Sequence, residues 1–264
     1  MTEQESINTS ENREKPLAGK TALITGSSRD IGAEIAKALG QEGVNIIGNN
    51  KEKEKRAIGT QKEWTKLGIK FEFVQADITL EDGRKKMKET VNKSFGGKLD
   101  YLILNAPAFS KDPTDDKSPN EHLTDELLPL MLEGGAILFM QSVPGHYEPQ
   151  LKKELINNEA IKDYSPAAEK KYKDEQALRK RAEEFKKQGV LFVVACPPIV
   201  EDTTNVQLYF GRKNAKFVEE SKRVSKNLGL PESMTKAEVG KKIAELLKRR
   251  DLPMGYTEFF KEAK

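Results

Sequence analysis

The chain has 264 residues, 36% hydrophobic and 33% charged, the balance of a globular protein rather than of a fibrous or disordered one, and one large domain is expected at this length. Its 45 basic and 42 acidic side chains leave a net charge of +3 with the two signs interspersed, so no cationic stripe marks a nucleic-acid surface. No apolar stretch approaches the roughly 18 residues that span a bilayer, the start lacks the basic and apolar regions of a leader, and one cysteine with two histidines leaves neither an intrachain disulfide nor a metal cage, so the expectation is a cytoplasmic protein without resident metal, membrane or nucleic-acid partner.

Residues 1–16 are polar and are expected to form a flexible tail ahead of a domain spanning residues 17–264. From Gly19 onward, short apolar runs alternate with longer charged segments of helical period. The runs are Thr21 to Thr25, Asn45 to Gly48, Phe71 to Gln75, Tyr101 to Asn105, Ala136 to Gln141 and Leu191 to Ala195. Six strands separated by helices predict an α/β fold with a doubly wound, Rossmann-like parallel sheet. ALIT, LILN, AILFM and LFVVA are apolar without alternation, as strands covered on both faces require.

Capping signals place several helices. Ser118-Pro119-Asn120-Glu121 is a capping box with proline at the first helical position, predicting a helix to about Leu132 that stops at Gly134 and Gly135. Ser165-Pro166 predicts a second start, with a helix ending near Gly189. Thr235 to Glu238 repeats the box ahead of Val239, Ile243 and Leu246. The charge clusters Lys51 to Arg56 and Lys170 to Lys173 read as solvated helix faces.

The first strand runs into Thr25-Gly26-Ser27-Ser28-Arg29-Asp30-Ile31-Gly32 and then a helical pattern. Gly26 permits a tight turn, Gly32 permits close helix packing, and the helix start presents N–H groups to a pyrophosphate. Taken with Asp77 in QADIT, Asn105-Ala106 in LNAPA, Ser142 in FMQS and a later Tyr/Lys pair, this pattern resembles the short-chain dehydrogenase/reductase family from residue 17 to about 250. The resemblance implies a nicotinamide dinucleotide held by Gly26, Ser28, Arg29, Asp30, Ile31, Asp77, Ile78, Asn105 and Ala106. Beyond the sixth strand, Cys196-Pro197-Pro198-Ile199-Val200 resembles the turn whose backbone faces the carboxamide, adding Pro198, Ile199 and Thr203. Cys196 itself reads as a small buried residue.

Asp30 replaces the family's middle glycine, putting a carboxylate near the pyrophosphate unless it caps its own helix. Pro107 replaces another glycine and removes an N–H from the wall beside the ribose. At the end of the second strand, no acid awaits a ribose 2′-OH. Asn49 stands near that position, Lys51 follows, and Arg29 resembles the arginine that clasps a 2′-phosphate, so NADPH is the expected cofactor.

In the family a tyrosine donates the proton, a lysine lowers its pKa and holds the ribose, and a serine holds the substrate oxygen. Ser142 fits the serine. The usual tyrosine position, counted back from Gly189, falls on Ala167 and the usual lysine on Lys171. Tyr164 and Lys171 instead form the Tyr-x6-Lys spacing of the enoyl-acyl-carrier-protein reductase branch, and seven residues return to within about 20° of one helix face. Tyr147 is the reserve donor, and Asn120 the candidate for the family's fourth-helix asparagine. The 21 residues between Ser142 and Tyr164 read as a small insertion over the site, where substrate choice would lie together with residues 204–232. These features predict an NADPH-dependent reductase of a ketone or 3-oxoacyl carbonyl, assembled as a dimer or tetramer. The alternatives are an enoyl reductase and a dinucleotide-binding regulatory protein with impaired chemistry.

Overall fold

The computed structural model describes residues 15–51, 55–109, 114–147, 149, 165–210 and 215–260. Chain order is β1 (Thr21–Ile24), α1 (Asp30–Gln41), β2 (Asn45–Asn50), α2 (Lys55–Lys66), β3 (Phe71–Gln75), α3 (Glu81–Lys93), β4 (Leu99–Leu104) and α4 (Pro119–Leu127). It continues with β5 (Met131–Met140), α5 (Val143–His146), α6 (Ser165–Lys180), α7 (Ala182–Lys187), β6 (Leu191–Ala195) and β7 (Ile199–Val200). Last come α8 (Ala215–Asn227), β8 (Ser233–Met234), α9 (Lys236–Lys248) and β9 (Tyr256–Glu258).

Seven strands form one parallel sheet in the order β3-β2-β1-β4-β5-β6-β9, and β7 pairs β8 apart from it. Every residue of β1 is buried, because one apolar cluster covers each face. The first joins alternate strand residues to Ile35 and Leu39 of α1, Trp64 of α2 and Ile243 and Leu247 of α9. The second joins the intervening strand residues to Met87 of α3, Leu123 of α4, Leu178 of α6 and Phe185 of α7. The order of strands reverses between β1 and β4, which opens a crevice at their carboxyl ends.

Both predicted capping boxes form. Ser118 Oγ accepts from the Glu121 N–H at 3.1 Å while the Ser118 N–H donates to Glu121 Oε2 at 2.9 Å, and Thr235 and Glu238 repeat the exchange. Three predicted boundaries are corrected. α4 ends at Leu127, and after one 3-10 turn the chain is already strand from Met131, five residues ahead of the predicted Ala136. β4 and β5 pair at Leu99 with Met131 and again at Tyr101 with Ala136. The extra β5 residues bulge, with Gly134 at φ +78°. The helix predicted from Ser165 to Gly189 breaks at Arg181, where ψ of 6° interrupts the ladder between α6 and α7. The seventh strand, Tyr256–Glu258, was not predicted, since three half-buried residues carry no apolar run.

Candidate active site

The turn between β1 and α1 is held from β4. Asn105 Nδ2 donates to the carbonyls of Thr25 and Gly26 at 3.0 and 3.3 Å, and the N–H groups of Asn105 and Ala106 both donate to Thr25 Oγ1 at 2.9 Å. Gly26 lies at φ +66°, and a Cβ on Gly32 would stand 2.4 Å from the Gly26 carbonyl oxygen and 2.6 Å from Asn105 Nδ2. The turn therefore closes on its own helix as tightly as glycine allows, which leaves the first-turn N–H groups of α1 facing the crevice edge.

Asp30 does not cap α1. The cap residue is Arg29, without a side-chain hydrogen bond, and Asp30 takes the left-handed conformation at φ +52° that a glycine would occupy. Its Oδ1 accepts from the Thr204 N–H at 3.0 Å and the Thr204 hydroxyl at 2.9 Å, and Arg29 Nη1 stands 3.6 Å from Oδ2. The carboxylate is thus clasped to the segment that follows β7.

At the end of β2, Asn49 is buried and its Nδ2 donates to the carbonyls of Val74 and Ala76 at 3.2 and 3.0 Å. The amide stitches β2 to β3, while the exposed Lys51 ammonium pairs with Asp77 Oδ2 at 3.0 Å. Burial raises the Asp77 carboxyl, but the hydroxyl and N–H of Thr79 together with Lys51 outweigh it and hold the group below its ordinary value. Ile78 sits in the core, its carbonyl accepting from Arg84 Nη1.

Two adjoining cavities occupy the crevice. The larger, about 460 Å³, is lined by Gly26, Ser28, Arg29, Asp30, Ile31, Asn105, Ala106, Ala167, Lys171 and Thr203 among others. The smaller, about 200 Å³, is lined by Ser142, Pro198, Ile199 and Val206 and shares Ile31, Gln141, Lys171, Thr203 and Asn205 with the first. Ser142 and Lys171, 29 positions apart in the chain, thus both line the smaller cavity. Tyr164 lies outside the described residues. Ala167, at the usual tyrosine position, does line the cleft. Asn49, Lys51, Asp77 and Ile78 line neither cavity.

Ser142 caps α5, its Oγ accepting from the Gly145 N–H at 3.2 Å. Lys171 Nζ donates to the Met140 carbonyl at 3.3 Å. Tyr147 lines neither cavity; it stacks on Phe259 at 5.7 Å between ring centres in the cluster with Val143 and Ile199, and burial, with Cys196 adding, raises its phenol. Cys196 is fully buried, and burial first, then the Glu175 carboxylate, pushes its thiol well up.

Asn120 joins α4 to α6: its Nδ2 donates to Asp174 Oδ2 at 2.7 Å, and the Ser118 hydroxyl bonds Asp174 Oδ1. Burial pushes the Asp174 carboxyl up to about 6 against these two bonds. Beside Ser142 and Lys171 is a hydrogen-bonded group that the sequence does not single out: Gln141, which lines both cavities, with His146, Glu175 and Arg179. Gln141 stood inside the FMQS segment, and Glu175 lies four residues after Lys171, the spacing that puts two side chains on one helix face.

Comparison with known proteins agrees with this architecture. Residues 20–153 match the family model described as short chain dehydrogenase, and the chain belongs to that family. It is 34% identical over 105 residues to 3beta-hydroxysteroid dehydrogenase 1 of Eggerthella lenta, covering 40% of each chain. It is 30% identical over 146 residues to a tropinone reductase homolog of Arabidopsis thaliana, covering 49% of this chain and 54% of that one. These matches span about half the length of the curated relatives, or less. Among solved structures, L-sorbose reductase from Gluconobacter frateurii, complexed with NADPH and L-sorbose, superposes with a TM-score of 0.70 at 20% identity, covering 94% of this chain and 97% of that one. A short chain dehydrogenase from Burkholderia cenocepacia in complex with NADP gives 0.66 at 20% identity, with 92% and 97% covered.

Proposed function

We propose that this chain is an NADPH-dependent reductase of a ketone or 3-oxoacyl carbonyl. The observation that carries the reading is that Ser142 and Lys171 both line a cavity sharing five lining residues with the cleft under the glycine turn. The glycine turn fits a dinucleotide, since the space a Cβ would fill at Gly32 is the close approach on which the cradle depends. Gly26, Ser28, Arg29, Ile31 and the first turn of α1 would hold the phosphates, with Arg29 and Lys51 as the cations for a 2′-phosphate. Asp77, Ile78, Asn105 and Ala106 would serve the adenosine half. Lys171, Pro198, Ile199 and Thr203 would serve the nicotinamide half.

The bound dinucleotide supplies a hydride. Around it, Ser142 Oγ would hold the substrate oxygen, and accepting from Gly145 makes its hydroxyl a stronger donor. Tyr164 would release its phenolic proton to the developing alkoxide, and Lys171 would favour the phenolate by its charge. Val143, Pro198 and Val206 give the smaller cavity an apolar wall against which the substrate's carbon skeleton would pack.

A second reading, a dinucleotide-binding regulatory protein, is favoured by the Asp30 carboxylate in the phosphate turn and by Ala167 at the usual tyrosine position. NADPH oxidation measured against ketones, 3-oxoacyl thioesters and enoyl thioesters separates the possibilities. Turnover of the first two classes supports the carbonyl reading, turnover of enoyl thioesters alone replaces it with C=C reduction, and binding without turnover replaces it with the regulatory one. Assembly as a dimer or tetramer belongs to the same proposal, and sedimentation as a monomer at micromolar concentration would contradict it.

A further inference from the structure

Gln141 follows β5 directly, is 2% exposed, and makes three hydrogen bonds through its side-chain amide. Oε1 accepts from the Ser142 N–H at 3.0 Å. Nε2 donates to the Lys171 carbonyl at 3.0 Å and to Glu175 Oε2 at 2.8 Å. One amide therefore joins the backbone of the serine that caps α5 to the backbone of the lysine on α6. The room it occupies is reserved, since a Cβ on Gly145 would stand 2.2 Å from Gln141 Oε1.

Glu175 decides which way the amide faces. Its side chain is 0% exposed, and its Oε1 accepts from His146 Nδ1 at 2.9 Å and Arg179 Nε at 2.8 Å. Burial disfavours the charge, but His146, Gln141 and Arg179 outweigh it and hold the carboxyl below its ordinary value. An ionised carboxylate accepts and cannot donate, so only the NH₂ end of Gln141 can face it and only the oxygen can face Ser142.

We propose that Gln141 is a positioning residue whose amide, oriented by the buried Glu175 carboxylate, sets the register between Ser142 and Lys171. Its consequence for turnover rests on the reductase reading; its geometry does not. Arg179 extends the same chain of bonds to the sheet edge, donating to the Gly255 carbonyl at 2.5 Å and the Thr257 hydroxyl at 2.6 Å.

The test uses Gln141→Glu and the exchanged pair Gln141→Glu with Glu175→Gln. Among the described residues, the charged or titratable groups facing the new carboxyl are Glu175, Lys171 and Arg179 from α6, His146 from α5 and Cys196 after β6. Two adjacent buried carboxyls share one proton at low pH and repel once it leaves. Labelling of Lys171 by an amine-reactive reagent, without dinucleotide and read by peptide mass spectrometry against the exposed Lys93, reports the register directly.

In Gln141→Glu the labelling ratio should rise about threefold or more over wild type at about pH 8, the worth of one hydrogen bond, and return toward wild type at about pH 5.5. The exchanged pair relieves the repulsion between the two carboxyls but leaves the Lys171 carbonyl facing a carboxylate that cannot donate. Its labelling ratio should therefore stay about threefold or more above wild type at about pH 8. With an active substrate, kcat should fall about 10- to 100-fold in Gln141→Glu, with an added loss as pH rises and NADPH affinity changed less than about threefold. Gln141→Ala, used if the first variant does not fold, should raise labelling by a similar factor at every pH. Unchanged Lys171 labelling in the folded variant overturns the proposal. Wild-type protein that turns over no substrate overturns the reductase reading instead, and the labelling still decides Gln141.

Discussion

Replacing Asp174 by asparagine removes a carboxyl that α6 buries against α4, and its effect depends on pH in a defined direction. Burial pushes the folded carboxyl up to about 6, whereas the ordinary value for a free aspartate is 3.8. Between those two values the folded chain keeps a proton that the unfolded chain releases. Stability therefore falls as pH rises through this window and is level above it. The interval of about 2.2 pH units is worth about 3 kcal/mol at 1.36 kcal/mol per unit. Asparagine carries no charge, keeps an acceptor for Asn120 Nδ2 and gains a donor for Ser118 Oγ, so the packing between the helices survives. Asp174→Asn should match wild type near pH 4 and exceed it near pH 7.5 by up to about 3 kcal/mol, or about 5–10 °C in Tm for a domain of this size. Thermal melts by circular dichroism at both pH values measure it. A variant less stable than wild type near pH 7.5, or a difference independent of pH, refutes the reasoning.

Tyr164→Phe should lower turnover by about 10²–10⁴ with NADPH affinity little changed, whereas Tyr147→Phe should leave turnover within about threefold; the reverse result moves the proton donor to Tyr147. Arg29→Ala should weaken NADPH binding by about tenfold or more and leave NADH binding nearly unchanged in a fluorescence titration, and equal losses would show that Arg29 serves no 2′-phosphate. Asp30→Gly removes a carboxylate from the phosphate turn, relieves a left-handed aspartate and removes the bonds that tie it to Thr204. NADPH should bind several-fold more tightly and dissociate faster in stopped-flow measurement, and weaker binding would show that the clasp helps hold the ligand.

Much of the architecture is local and hence legible along the chain. β1, β4 and β6 are apolar on both faces because helices cover both, and that pattern needs no knowledge of neighbours. Ser118 and Thr235 announce their helices because a cap bonds within four residues. The glycine turn is likewise local, since its strand, turn and helix are continuous in sequence. What the chain alone left open depends on partners distant in sequence. β9 exists because Tyr256 to Glu258 find the free edge of β6, since three residues, even with strand-favouring Tyr and Thr, are too short a run to mark a strand on their own. Asp30 had two ways to satisfy its carboxylate, and the approach of Thr204 from 174 positions away chose between them. Asn49 turned inward because Val74 and Ala76 offered carbonyls at the sheet edge. Gln141 and Glu175 were ordinary polar residues in sequence, and only the packing of α6 on the end of β5 buried them together, where an unpaired polar group would be costly and each found partners in the other and in Ser142, Lys171, His146 and Arg179.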